Sequence, residues 1–403
     1  MSKLTKLSIK KFRNVAPTTL EFSPGLNVLL GRNAAGKTTL LRLLSTALGA
    51  SDEALRDDVL DMSYHASDAV LGFEHTITRV RGHEPALTFD PTHPVREDFS
   101  VLQRKDSFIF EKNGTVVMRA EVLPKEIVLE MSGNQVRVEN PFKTGPLLSL
   151  YWALSQKRAA ITKDDFLGAT VSSSGRMDES LERFDELLKY EVKVDKAGDD
   201  SHWGKQTVPL WGREVFPEVS EGTSATFSPK FLERAARVLG YASANVRFDV
   251  EHFRPEPDRS ISLFSNLRFF FKRPNEEISH NLLSYGQKRL LAFFAHVELP
   301  RDVVIVDELV NGLHHEWISA CLEEIGDRQA FLTSQNPLLL DFLRFESVEE
   351  VRRTFILCER ASSEAGAQLI WRNPTEEEAE SFFSAYQTGI QRVSDILLTK
   401  GLW

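Results

Sequence analysis

Apolar and polar residues alternate at the start of the chain, where Leu7 and Ile9 are interleaved with Lys6, Ser8 and Lys10. The short run Thr19 to Phe22 follows, and after Pro24-Gly25 comes the unbroken apolar run Leu26 to Leu30. Period-two alternation predicts half-buried strands, and an unbroken apolar run predicts a strand buried on both faces. Residues 4 to 30 should therefore hold three strands. Between 38 and 48 the leucines move to a helical repeat that stops at Gly49, so the local unit is strand, loop, helix. From about 69 to 140 short β-type runs prevail, with a hairpin signal at Asn113-Gly114 and a turn at Ser132-Gly133-Asn134. These predict antiparallel sheet.

The pattern changes again between about 145 and 240 to helices separated by polar loops. Leu181, Phe184, Leu187 and Leu188 share one helical face, and Ser228-Pro229 opens a helix that closes at Gly240. The stretch 170–176, which contains Ser and Gly, and the loop 194–206 are expected to be mobile. After 245 strand-like runs return, followed by a helix near 286–298, the strand 303–306, a helix near 315–325 and the strand 330–333. Alternating β and α implies parallel sheet. Residues 375–400 read as one last amphipathic helix, with Phe382, Phe383, Tyr386, Ile390, Val393 and Leu397 on its core face. Glu376, Glu377 and Glu378 stand at its dipole-positive start.

At 403 residues the chain exceeds one ordinary core and suits two lobes. No apolar run approaches the roughly 20 residues that span a bilayer, and MSKLTKLSIKKF lacks the apolar stretch of a signal peptide, so no membrane association and a cytoplasmic location are expected. Cys321 and Cys358 sit in apolar surroundings and read as small core residues. The formal charge of −9 disfavours non-specific coating of nucleic acid. Lys3, Lys6, Lys10, Lys11 and Arg13 form a local basic group that fits either DNA contact or a solvated strand face.

Three segments carry chemistry. Gly31-Arg32-Asn33-Ala34-Ala35-Gly36-Lys37-Thr38, followed by Thr39, matches the phosphate-loop pattern and lies where that pattern must lie, between a buried strand and a helix N-terminus. Small residues let the backbone N–H groups curl around a phosphate, Lys37 adds charge to the β and γ oxygens, and the Thr38 hydroxyl can ligate Mg²⁺. The run 303–306 ends in Asp307-Glu308, placing two acids at a sheet edge, with Asp307 holding the metal through water and Glu308 polarising an attacking water. The third segment, 281–289, puts Ser284, Gly286 and Gln287 at the start of an apolar helix, as a second phosphate-facing surface or as a simple helix cap.

In chain order, with 281–289 falling just before the acidic strand, the segments resemble the ABC-type ATPases, whose signature loop is usually LSGGQ. The resemblance implies a composite ATP site: the loop of one subunit closes over the γ-phosphate held by the other, so a homodimer or larger homo-oligomer sandwiches ATP and Mg²⁺. Residues 309–315, with Asn311, Gly312, His314 and His315, resemble the interface loop of the RecF, SMC and OLD group. At 333–337 this group usually carries a switch histidine, and here Gln335 takes that position, able to donate a hydrogen bond but not to titrate. Slower turnover is the implied consequence. The expected fold is α/β: an ABC-type ATPase head with a mixed, parallel core sheet, an antiparallel β lobe and a helical insertion. The expected divisions are 1–144, 145–240 and 241–403. The closest resemblance is to compact OLD-like and RecF-like ATPases, which implies a switch acting on a separate effector protein in anti-phage defence. A RecF-like DNA repair ATPase is the alternative, and an OLD-type nuclease the third, since few residues follow Asn336 to hold its added metal-dependent domain.

Overall fold

The computed structural model describes residues 2–50, 52–87, 96–142, 145–156, 161–178, 180–189, 191–197, 200–203, 224–298, 302–363 and 366–402. At its centre lies a six-stranded sheet in the spatial order Ser173–Met177, Val303–Val306, Gln329–Thr333, Leu26–Leu30, Phe355–Ser363, Gly366–Arg372. Its first five strands are parallel, and the last pairs antiparallel along one edge. Strict alternation sends successive side chains to opposite faces. Val303, Ile305 and Phe331 enter one core with Leu29 and the leucines of the helix Lys37–Ala47. Val304, Val306, Ala330 and Leu332 enter a second core around the helix Tyr285–Glu298. Burial on both faces explains why these strands read as unbroken apolar runs.

An eight-stranded antiparallel sheet holds the expected β lobe and runs from Thr18–Glu21 and Lys3–Phe12 through consecutive hairpins to Asn134–Glu139. The helices Pro146–Gln156 and Lys163–Ala169 follow it, and Leu150, Ala153 and Phe166 join its core. Thr162 starts the second of these helices with a reciprocal cap to Asp165. Both cysteines are free and buried, and burial pushes the Cys358 thiol up to about 12.

The α/β architecture, the mixed core sheet, the antiparallel lobe and the helices of the insertion stand as expected, with four local corrections. The stretch 170–176 is not a mobile loop: Ser173–Met177 is the edge strand of the central sheet, in register Arg176↔Ile305 and Met177↔Val306. Its serines and Gly175, at φ 95°, hide a pattern that burial makes plain, with Ser173, Gly175 and Met177 buried. The segments 246–250 and 261–272 belong to a third, antiparallel sheet rather than to the parallel one, paired with Val192–Ala197 and Ser224–Phe227. The loop 194–206 lies partly outside the described residues, and its first part forms the hairpin of Val192–Ala197 with Asp200–Trp203. The C-terminal helix is two helices, Glu376–Gln387 and Val393–Thr399. Gly389 at φ 68° breaks the repeat between them and leaves Ile390 86% exposed instead of in the core.

Candidate functional site

The phosphate loop leaves the C-terminal end of the central strand Leu26–Leu30 and enters the helix Lys37–Ala47. Its curl comes from left-handed backbone at Ala34 (φ 63°) and Gly36 (φ 86°). Gly31 is required by space, since a Cβ there would stand 2.0 Å from the Cys358 carbonyl oxygen. From the antiparallel edge strand, the buried Trp371 indole donates to the Ala35 carbonyl at 3.2 Å and braces the loop from beneath. No side chain caps the helix, and no acidic residue stands in its first turn. Uncapped N–H groups at a positive helix end form an anion site. Lys37 is buried and donates to the carbonyls of Gly31 at 2.7 Å and Arg32 at 3.2 Å, whereas Arg32, Asn33, Ala34 and Thr38 are exposed and Thr39 half-buried. The cradle therefore fits a polyphosphate.

The acidic pair lies two strands away at the same end of the sheet. Asp307 and Glu308 are both buried. Thr333 Oγ1 donates to Asp307 Oδ1 at 2.5 Å and accepts the Glu308 N–H at 2.7 Å. Asp307 Oδ2 accepts from Arg176 Nη1 at 3.2 Å. Glu308 sits at φ 52°, a costly backbone for a residue with a Cβ, and its Oε2 accepts the Gln335 N–H at 2.9 Å. Gln335 thus reaches the acid through its main chain, while the residue itself is exposed. The donor set of Thr38 hydroxyl and Asp307 carboxylate is hard oxygen, the chemistry that suits Mg²⁺.

Ser284 and Gln287 cap each other at the start of the helix Tyr285–Glu298: the Ser284 N–H donates to Gln287 Oε1 at 2.8 Å and the Gln287 N–H to Ser284 Oγ at 3.3 Å. The capping reading of this segment is thus realised, and it leaves Ser284 exposed beside Leu282 (72% exposed) and Tyr285 (47%). Gly286 is needed because a Cβ there would lie 2.2 Å from the Gly312 carbonyl oxygen, in the loop that follows Glu308. His314 precedes the helix His315–Ile325 with its ring 4.9 Å from Trp317, and the His315 ring lies 4.6 Å from Phe342.

Two site residues escaped the sequence reading. Arg289, 1% exposed, donates from the helix Tyr285–Glu298 to the carbonyls of Asp178 (3.0 Å), Asp307 (3.1 Å) and Glu308, tying three segments together. Its signal was a lone charge on the buried stripe with Gly286 and Phe293. Arg176 had no signal, because its strand was not recognised.

The sequence itself matches two family models: an AAA domain over residues 6–197 and an "AAA domain, putative AbiEii toxin, Type IV TA system" over residues 182–341. Each of the two matches covers less than half of the chain, and they overlap over residues 182–197. Among curated proteins it is similar to the DNA replication and repair protein RecF of several Streptococcus pneumoniae strains, 54% identical over 41 residues. That stretch is 10% of this chain and only 11% of the relative. Solved structures give looser likenesses. An SMC head bound to the C-winged helix domain of ScpA is 14% identical, covers 92% of this chain and 98% of its own, and has a TM-score of 0.42. The SMC head domain from Thermotoga maritima is 11% identical over 91% and 98%, with a TM-score of 0.38. At these scores neither bears on function. Among the described residues, no helix is long and apolar enough to cross a membrane.

Proposed function

We propose that the chain is an ATP-driven switch, in which two copies close face to face around Mg²⁺ and ATP and open again on hydrolysis. The observation that carries this reading is that an uncapped phosphate-loop helix and a buried acidic pair stand at one end of the parallel strands of a single sheet. Gly31 to Thr39 would hold the phosphates, with Lys37 exchanging its loop carbonyls for phosphate oxygens. Thr38 and Asp307 would hold Mg²⁺, which when bound neutralises phosphate charge. Glu308 would orient the attacking water, Gln335 would stand over it, and the segment holding the exposed Ser284, with Gly286 and Gln287, of a second copy would complete the site.

The biological setting we favour is anti-phage defence with a separately encoded effector. In support, the description of the second family model names a toxin–antitoxin system, which has two components. A RecF-like DNA-repair ATPase is the second reading, supported by the 41-residue match and by the exposed Lys6, Lys10 and Lys11. The charge of −9 weighs against it.

Glu308→Gln tests the switch. It removes the water-orienting carboxylate and keeps the nucleotide contacts, so ATP should still bind, turnover should fall by about a hundredfold, and light scattering should show a persistent closed assembly with ATP. Wild-type turnover in this variant would reject the assignment.

A further inference from the structure

Asp307 accepts hydrogen bonds on both oxygens, from the neutral Thr333 hydroxyl on Oδ1 and from the Arg176 guanidinium on Oδ2. The other cations of the site are committed elsewhere, Lys37 to loop carbonyls and Arg289 to main-chain carbonyls. Among the described residues, Arg176 is the one cation within ion-pair distance of the Asp307 carboxylate. The ladder to Val303–Val306 fixes its place, since the Asp307 N–H donates to the Met177 carbonyl at 2.7 Å. On its other side Arg176 borders a polar cleft of about 640 Å³, lined also by Asp52, Asp178, Glu182 and Arg183. Asp178 Oδ2 already stands 3.7 Å from Arg176 Nη2.

Resting on the ATPase reading above, we propose that Arg176 is a built-in counter-ion that stands in for the divalent cation at Asp307. A buried carboxylate facing a fixed guanidinium is neutralised before any metal arrives. Metal and guanidinium then compete for the same negative charge, and an arginine displaced from Asp307 turns into the acidic cleft towards Asp178. The edge strand thereby sets the metal affinity of the site, and with it the cation concentration at which nucleotide is held productively.

The test follows Mn²⁺ by the loss of its free paramagnetic resonance signal in the presence of ADP, a readout independent of turnover. Arg176→Gln keeps a donor and removes the charge, and should tighten Mn²⁺ binding about fivefold. Placed on Asp307→Asn, the same change should have no effect, because the contested charge is gone. Asp178→Asn, which removes the alternative partner, should weaken Mn²⁺ binding about twofold, and it decides the matter should Arg176→Gln not fold. Unchanged or weaker Mn²⁺ binding in folded Arg176→Gln, a tightening that persists on Asp307→Asn, or no change in Asp178→Asn would each overturn the role of Arg176. A fluorescent ATP analogue titrated in saturating Mg²⁺ separates the two claims. No nucleotide binding by the wild type would sink the ATPase reading itself, whereas nucleotide bound with Mn²⁺ affinities contrary to these would sink only the counter-ion.

Discussion

The two halves of the site are built in opposite ways. The phosphate loop is local: Lys37 bonds to carbonyls five and six residues back, and one strand, one loop and one helix supply every group that would face the phosphates. The acidic half is assembled from distant segments, with Asp307 and Glu308 held by Thr333, Gln335, Arg289 and Arg176, the last 131 positions away. A local motif is damaged chiefly by changing its own residues or the few that brace it, such as Trp371. An assembled one depends on the packing of the helix Tyr285–Glu298 and the sheet edge, so it can also respond to movements there.

The largest effect should come from breaking the local half. Lys37→Ala removes the charge that offsets the phosphates and leaves the fold alone, because its present partners are two part-buried carbonyls at the edge of a surface loop, within reach of water. ATP affinity measured by calorimetry should fall about a thousandfold, or ~4 kcal/mol, with an unchanged melting temperature. Unaltered affinity would mean that the loop does not bind nucleotide.

Breaking the assembled half should give the converse signature. Arg289→Met keeps the stem volume but orphans the carbonyls of Asp178, Asp307 and Glu308. Stability to urea should drop by about 3 kcal/mol, while ATP affinity per folded molecule changes little. A melting curve like that of the wild type would show that the helix Tyr285–Glu298 does not hold the acidic pair in place.

This contrast also explains what the sequence could reveal. Gly31 to Thr38 is a contiguous pattern whose spacing is its geometry, so loop, strand and helix were all legible, as was the acidic pair at the end of an apolar strand. The leucine repeat and the Asn113-Gly114 turn fixed their elements for the same reason, that the cause is nearby in the chain. Ser173–Met177 failed this test: its serines and Gly175 carry no β signal, and it becomes a strand only because Val303–Val306 offers a free edge. The same blindness merged two C-terminal helices into one, since apolar spacing alone does not register the left-handed turn at Gly389. Arg176 was lost with its strand. Arg289 was visible as a residue, but the carbonyls it bonds lie in segments that only the fold brings together.

The smallest effect should sharpen the comparison by reaching the assembled half through pH. His296, in the last turn of the helix Tyr285–Glu298, lies behind the edge strand with its Nδ1 3.4 Å from Ser174 Oγ. Burial, aided by the charge of Arg183 and opposed by the Ile305 main chain, pushes its pKa down to about 3 from an ordinary 6.5. Below 6.5 the unfolded chain takes up a proton that the folded chain refuses, so stability is lost as pH falls from 6.5 towards 3. One proton contributes at most about 1.4 kcal/mol per pH unit. Burial also lowers His75 and His280, so the wild type should show a slope of up to three such protons. In urea titrations between pH 7 and 5, His296→Asn should remove about one proton from that slope. The phosphate loop holds no histidine and should not share in the loss. Fluorescent ATP binding per folded molecule should therefore change equally in wild type and His296→Asn over the same range, following the terminal phosphate's own titration near about pH 6. Identical slopes in wild type and His296→Asn would show that the sheet edge does not exclude the proton.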